Sequence, residues 1–535
     1  SLVRGSAYDG GCVLVGEGST FVAIDTVLAD CTSTRFGGAV AGFRKSQLAF
    51  KGASLMADST SQDRGGCLYV QEGSVMLAGQ TRVRQCEAEF GGGVFAVSAN
   101  VTVAGDAAVS ECVAGESGGC VHLEGSGSAV FKDQAILHGC RARFVGGGIS
   151  AESVDMVVLQ DQAAVTNCEA DDVGGGILVD GSGGPTLVLL QQDAAVTGCR
   201  ARHAGGGIYV MSAAARLEGM SAIQGCSAAQ LGGGVAASDG AAIELLGAAR
   251  VSDCQGGLRG GGIYIQDPAL SLVLGGQSAV LGCSAEEGGG IFSFSLPGGS
   301  DPYPVVLEGA ATVANCSATD GGGMGLQGAN VTIKENATIA SCKAGEHGGG
   351  VKARDSTIRI LSSHAPGVEG RTAAVANCSA GMEGGGFLLL RTRLEMGLHS
   401  AVADCVAIAG GGLSLRMDAL VIFAGRAQVT RNSATAGDGG AVRAQDSSVV
   451  FRDAASVTSN RARSGGGVFI TGPRGSLHAS SSCVLVDLEV DAPAGSNFMV
   501  ASILDAAMSM STPLLVLDVV SSLQQKSTAP ICLVP

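Results

Sequence analysis

The sequence predicts an all-β chain wound into a parallel β-helix, a solenoid, and three observations predict it. A glycine doublet or triplet returns every 26 to 36 residues from Gly10 to Gly467, almost always followed by an apolar residue. A fixed period of that length means one supersecondary unit repeated along the chain. Within a period the apolar residues come in three short bursts, such as Val94 to Val97, Val101 to Val103 and Ala107 to Val109. Each burst has strand length and is separated from the next by Gly, Asp, Asn or Ser. Three strands and three turns consume the ~27 residues of a period, so no helix of ordinary length fits. Three strands per turn of chain, repeated in register, is the β-helical solenoid.

The glycine blocks begin at Gly10, Gly37, Gly65, Gly91, Gly118, Gly146, Gly174, Gly205, Gly232, Gly260, Gly288, Gly321, Gly348, Gly384, Gly410, Gly439 and Gly465, which gives about seventeen three-strand coils. Residues 1–475 are therefore expected to form the β-helix, and residues 476–535, where the blocks stop, an irregular terminal coil and cap. Leucine-rich repeats need L-x-x-L-x-L, which is missing, and calcium-binding nonapeptides need G-G-x-G-x-D where apolar residues stand here. Helical repeats are excluded by the glycine load, at about 1 kcal/mol per interior glycine.

Each coil also reads V/I-x-x-C-x-A before its glycines. The cysteine slot holds Cys31, then Cys86, Cys112, Cys140, Cys168, Cys199, Cys226, Cys254, Cys283, Cys316, Cys342, Cys378 and Cys405, and passes to Asn432 and Asn460. Asparagine cannot form a disulfide but can hydrogen-bond along a stack, so the slot calls for a small side chain with polar capacity. Neighbouring coils would set the Cα atoms ~4.8 Å apart, inside the disulfide window. Two readings stay open, a ladder of buried thiols or bridges between adjacent coils. Metal binding is not expected, because zinc sites use clustered pairs such as C-x-x-C. Cys12, Cys67 and Cys120 occupy a second slot, as the last member of G-G-C, about two coils apart, and are not expected to bridge one another. Alanine two residues after the cysteine, as at Ala170, Ala201 and Ala228, marks a packed bend.

Surface candidates follow from the same register. The second residue after the glycines is aromatic or His at Tyr69, Phe95, His122, Tyr209, Tyr264, Phe292 and Phe469. With one parity this column is an exposed contact stripe, and with the other it is core. Asp106, Asp133, Asp161 and Asp193 form the nearest thing to an acidic patch for catalysis, against the reading of Asp as a turn former. Charges between cysteine and glycines alternate from coil to coil, as with Arg141, Glu169, Asp171, Arg200 and Arg202, so stacking would pair opposite signs. Longer coils carry inserts at Asp180 to Pro185, Leu296 to Pro304 and Ser363 to Arg371.

A net charge of −15 argues against nucleic acid and anionic membranes as partners. No run of about 18 apolar residues offers a membrane-spanning helix. The chain starts at Ser1 without a signal peptide and reads as a mature or excised piece of a longer one. Sequons at Asn100, Asn330, Asn336, Asn315 and Asn377 permit glycosylation in a secreting eukaryotic cell.

The G-G-A-V of Gly37 to Val40 and Gly439 to Val442 resembles the G-G-A-[ILV] half of the repeat in chlamydial polymorphic outer-membrane proteins. Val429-Thr-Arg-Asn432 and Val457-Thr-Ser-Asn460 are similar to its F-x-x-N half. The resemblance runs from about Gly10 to Ile470, with Cys for Asn in most coils and Val for Phe. It implies a right-handed, pectin-lyase-like β-helix on a cell surface or outside the cell, with an adhesin-like role. The first functional expectation is a non-catalytic scaffold binding a protein or glycan, with no cofactor. The second is a carbohydrate-active enzyme, a polysaccharide lyase or glycoside hydrolase, which needs converging carboxylates.

Overall fold

The computed structural model describes residues 1–266, 271–295, 304–361, 374–480, 484–485 and 488–490. It is a parallel β-solenoid of about 16 turns, with strands and no helix among the described residues. The insert Leu296 to Pro304 except its last residue, the whole of Ser363 to Arg371, and nearly all of the expected cap lie outside those residues. Two compact units divide the chain, one of Ser1–Val273 with Gln277–Ser284, the other of Leu274–Gly276 with Ala285–Pro535.

A coil of the first unit shows the pattern. It runs through strands Val94–Val97, Asn100–Val103, Ala108–Ser110 and Val113–Ser117. The next coil repeats them in register, with Val94 opposite Val121, Val101 opposite Ala129, Val109 opposite Leu137 and Ala114 opposite Ala142. The second unit does the same, with Met324 opposite Val351, Val331 opposite Ile358, Ile339 opposite Val375 and Ala344 opposite Ala380. The expected three strands per coil become four. The segment after each cysteine, read as a variable turn, is a strand of two to five residues in most coils. Its polar sequence hid it, because only one or two of its side chains face inward.

The interior is filled by stacked columns. Val94, Val103, Val109 and Cys112 are fully buried, as are Phe50, Phe423 and Phe451. The rings of Phe423 and Phe451 stack with centroids 4.7 Å apart. Each buried Val, Leu or Phe stabilises by roughly 1.5–3 kcal/mol, and a solenoid adds such terms coil by coil.

The glycine blocks solve two steric problems. Gly91 has φ +62°, and a Cβ there would lie 2.5 Å from the Val94 carbonyl oxygen. Gly93 faces inward, where a Cβ would lie 2.7 Å from Val109 Cγ1 and 3.3 Å from Cys112 Sγ. That second contact explains both cysteine slots. Where the third glycine is replaced by cysteine, the side chain meets the slot cysteine of its own coil, giving Cys12–Cys31, Cys67–Cys86 and Cys120–Cys140. Bridges between adjacent coils, one of the two sequence readings, are not what the chain makes. Each bridge closes a loop of 19 or 20 residues, worth about 3 kcal/mol in the chain-entropy account.

The other slot cysteines, from Cys112 and Cys168 to Cys405, are buried thiols. Cys199 Sγ sits 3.7 Å from the Val165 carbonyl oxygen and Cys226 Sγ 3.6 Å from that of Val196. Burial pushes the Cys112 thiol up to about 12, so it stays protonated and unreactive. Asn432 and Asn460 continue the pattern with stronger bonds. Asn432 Nδ2 donates to the Val402 carbonyl at 3.1 Å, and Asn432 Oδ1 accepts from the Cys405 N–H at 2.9 Å. Ser59, not assigned to the slot from sequence, fills it in the coil between Cys31 and Cys86 and accepts from the Cys31 N–H at 3.2 Å.

The residue just before the slot is left-handed throughout, as at Glu111 (φ +53°), Gly139 (φ +63°), Asn167 (φ +52°), Asn315 (φ +56°) and Asn377 (φ +54°). Asparagine tolerates that conformation, which accounts for Asn315 and Asn377 without glycosylation.

Two outcomes are expected. At Gly139 a Cβ would have open space apart from Glu111 Cγ at 3.8 Å, so only backbone strain distinguishes substitutions. Gly139→Asn should leave the thermal midpoint nearly unchanged, while Gly139→Val should cost about 1–2 kcal/mol. Gly93→Cys should bridge to Cys112, and denatured, unreduced protein should then titrate one thiol fewer than the parent chain.

Candidate functional site

The aromatic column does not form an exposed stripe. Tyr69, Phe95, His122, Tyr264, Phe292 and Phe469 are buried, and Tyr209 is partly so. In the first unit Tyr69 and Phe95 build a cluster of their own with Phe36, Phe43, Phe90 and Val97, on the opposite strand face from Val94 and Ala96. The residue before the glycines and the second residue after them flank one corner, and their side chains cover each other there. Ring centroids are 4.3 Å apart for Phe36 and Tyr69, 5.8 Å for Tyr69 and Phe95, and 4.7 Å for Phe95 and His122. The Arg64 guanidinium lies 4.9 Å from the Phe95 centroid, a cation–π contact. Burial pushes the Tyr69 hydroxyl up to about 12. Burial, with a smaller contribution from Arg64, lowers His122 to about 3, and its Nδ1 lies 3.0 Å from Ser117 Oγ. The column is satisfied packing.

The acidic patch resolves into turn chemistry. Asp133 and Asp161 are left-handed turn residues, at φ +60° and +59°. Asp133 Oδ2 accepts the Gly105 N–H at 2.8 Å, and Asp161 Oδ2 accepts the Asp133 N–H at 3.1 Å. Gln192 Oε1 extends the series to the Asp161 N–H at 2.8 Å. Asp106 and Asp193 sit exposed on the same turns. Asp133 and Asp161 thus climb the turns as main-chain acceptors, the role of turn-forming aspartate.

A groove opens on the post-cysteine face of the first unit. There the strands shorten to two residues, Glu169–Ala170, Arg200–Ala201, Ser227–Ala228 and Gln255–Gly256. Small residues make the floor, Ala170, Ala201, Ala228, Ala229 and Gly257, and the space above holds about 400 Å³. Glu169, Asp171, Arg200, Arg202, Ser227 and Gln255 form the rim. The alternating charges pair as their register requires. Arg141 lies 3.9 Å from Glu169 and 3.3 Å from Asp171, and Arg202 lies 3.9 Å from Asp171. Arg200, on the coil between the acids and Ser227, has no ion-pair partner among the described residues. Sequence reading had Arg200 only as one rung of a structural charge ladder. The alanine column was the available signal, since a run of small residues under long polar ones makes a depression.

In the second unit several coils carry charged residues at the glycine corner, between the aromatic Phe292 and Phe469. Lys352 Nζ lies 2.6 Å from Asp320 Oδ2 and 3.8 Å from Glu287 Oε1. Glu383 accepts from Arg416, from Arg443 at 3.2 Å and from Ser414 Oγ at 3.1 Å. None of these residues was singled out from the sequence, where the position before the glycines passed for variable turn.

No protein-family description matches the chain, and no curated protein matches it. The likeness to polymorphic outer-membrane proteins thus rests on its short motifs.

His122 gives the fold a pH dependence. Unfolded, it takes up a proton near its ordinary value of about 6.5, whereas folded it resists until about 3. Between those values the unfolded state binds more protons, so stability falls as the pH drops, by at most about 1.4 kcal/mol per unit. His122→Phe should remove that share of the acid sensitivity, read as a smaller stability loss in denaturant titrations between about pH 7 and about pH 4.

Proposed function

We propose that this chain is a non-catalytic scaffold of the cell surface or extracellular space, with an adhesin-like role, whose groove in the first unit holds a protein or glycan partner. The observation that carries this reading is Arg200, a guanidinium left without a carboxylate above a floor of alanines. A carboxylate or sulfate on the partner would pair with it in the fork geometry arginine favours. Ser227 and Gln255 on the next two coils would take neutral polar groups, and the floor an apolar face. Three disulfides within the first 140 residues fit an oxidising compartment. The G-G-A-V coils and the Asn432–Asn460 steps support the adhesin comparison, and the right-handed coil which that comparison implies is the hand parallel crossovers take.

The test is retention of the chain on immobilised anionic and neutral polysaccharides and on acidic peptides, with the bound polymer then checked for cleavage. Binding to an anionic member, lost at least tenfold in Arg200→Glu and without new chain ends, is the expected result. Equal binding by Arg200→Glu would remove the groove from the account, and cleavage would favour the enzyme reading.

A further inference from the structure

We propose that the second unit carries a divalent-cation site of the zinc class, built from Asp320, Glu346 and His347. Asp320 and His347 hold the same place in consecutive coils, immediately before the glycines, and pair directly across the ladder. Glu346 precedes His347 on the same strand, Lys343–His347. One donor atom from each of the three lies within 4.8 Å of the other two, so small side-chain rotations would bring all three onto one ion. An imidazole with two carboxylates is a mixed N/O set suited to zinc, with room left for water.

A separate observation points to a ligand. Asp320 Oδ1 and His347 Nδ1 are both buried atoms without a hydrogen-bond partner. Such a group is costly when left unsatisfied, and its presence calls for an ion or a water. Lys352 occupies only the other oxygen of Asp320, at 2.6 Å, which fixes the carboxylate and leaves Oδ1 as the donor. Glu346 is exposed, so it can close over an ion that arrives from solvent. This site is independent of the groove around Arg200.

Calorimetric titration of the full chain with zinc chloride tests the proposal, beside Glu346→Gln and His347→Gln. One zinc per chain is expected, weakened at least tenfold in each variant, with the thermal midpoint of the parent raised by zinc and that of Glu346→Gln unmoved. Because Glu346 is exposed, its variant keeps the fold, and its zinc-free midpoint verifies this. Absorption of the cobalt-loaded chain should lack the intense thiolate band. No zinc uptake by the parent, affinity equal to the parent's in both variants, or a thiolate band would each overturn the site, the last assigning the ion to cysteine.

Discussion

Everything in this molecule depends on main-chain hydrogen bonding between consecutive coils in parallel register. The Val113 N–H reaches the Cys86 carbonyl, the Arg141 N–H that of Cys112, and the Glu169 N–H that of Cys140. With register held this way, every residue sits against its counterpart one coil away, and a side chain is judged by the column it joins. A column of cysteine fills with thiols that find carbonyls, and a column of aspartate becomes a ladder of acceptors for turn N–H groups. A column of opposite charges becomes a row of ion pairs, each worth about 0–1 kcal/mol at the surface. Chemistry unusual in an isolated residue becomes routine when repeated.

The columns also explain where the surface has features. Where charges alternate from coil to coil, as from Arg141 to Arg202, neighbours pair with one another, so a site arises where such a column is interrupted. Arg200 stands between a coil of acids and a coil carrying Ser227, so it has an acid on one side only, and those acids already engage Arg141 and Arg202. Asp320 and His347 stand where the corner column passes from aromatic to charged residues. Sidedness of this kind is the local irregularity on which a repeat protein builds recognition.

Much of the architecture was legible because it is steric. Gly91 and Gly93 announce their columns because no side chain fits those places, and that exclusion survives any variation elsewhere in the coil. The strand after each cysteine was not legible, since Glu169–Ala170 or Arg200–Ala201 offers one inward alanine and no alternating pattern. The aromatic column was legible as a column but not as buried. Its cover comes from Phe36 and Phe90 on the far side of the glycines, a corner contact that strand alternation does not reveal. The disulfide partners were missed because stacking drew attention to neighbouring coils. Cys12 and Cys31 are nearest across the coil's own interior, and the clue was that Cys12, Cys67 and Cys120 replace the one glycine that points at the slot.

That placement governs how the chain would behave under tension. An unbridged coil pulled out of the stack surrenders its whole length, up to about 3.4 Å for every residue. The coil clipped by Cys67–Cys86 surrenders only what lies outside its 19-residue span. The clipped coils all fall near the amino-terminal end, alternating with unclipped ones, so a load applied there would meet short, stiff steps interleaved with long ones before reaching the unbroken run of extensible coils beyond.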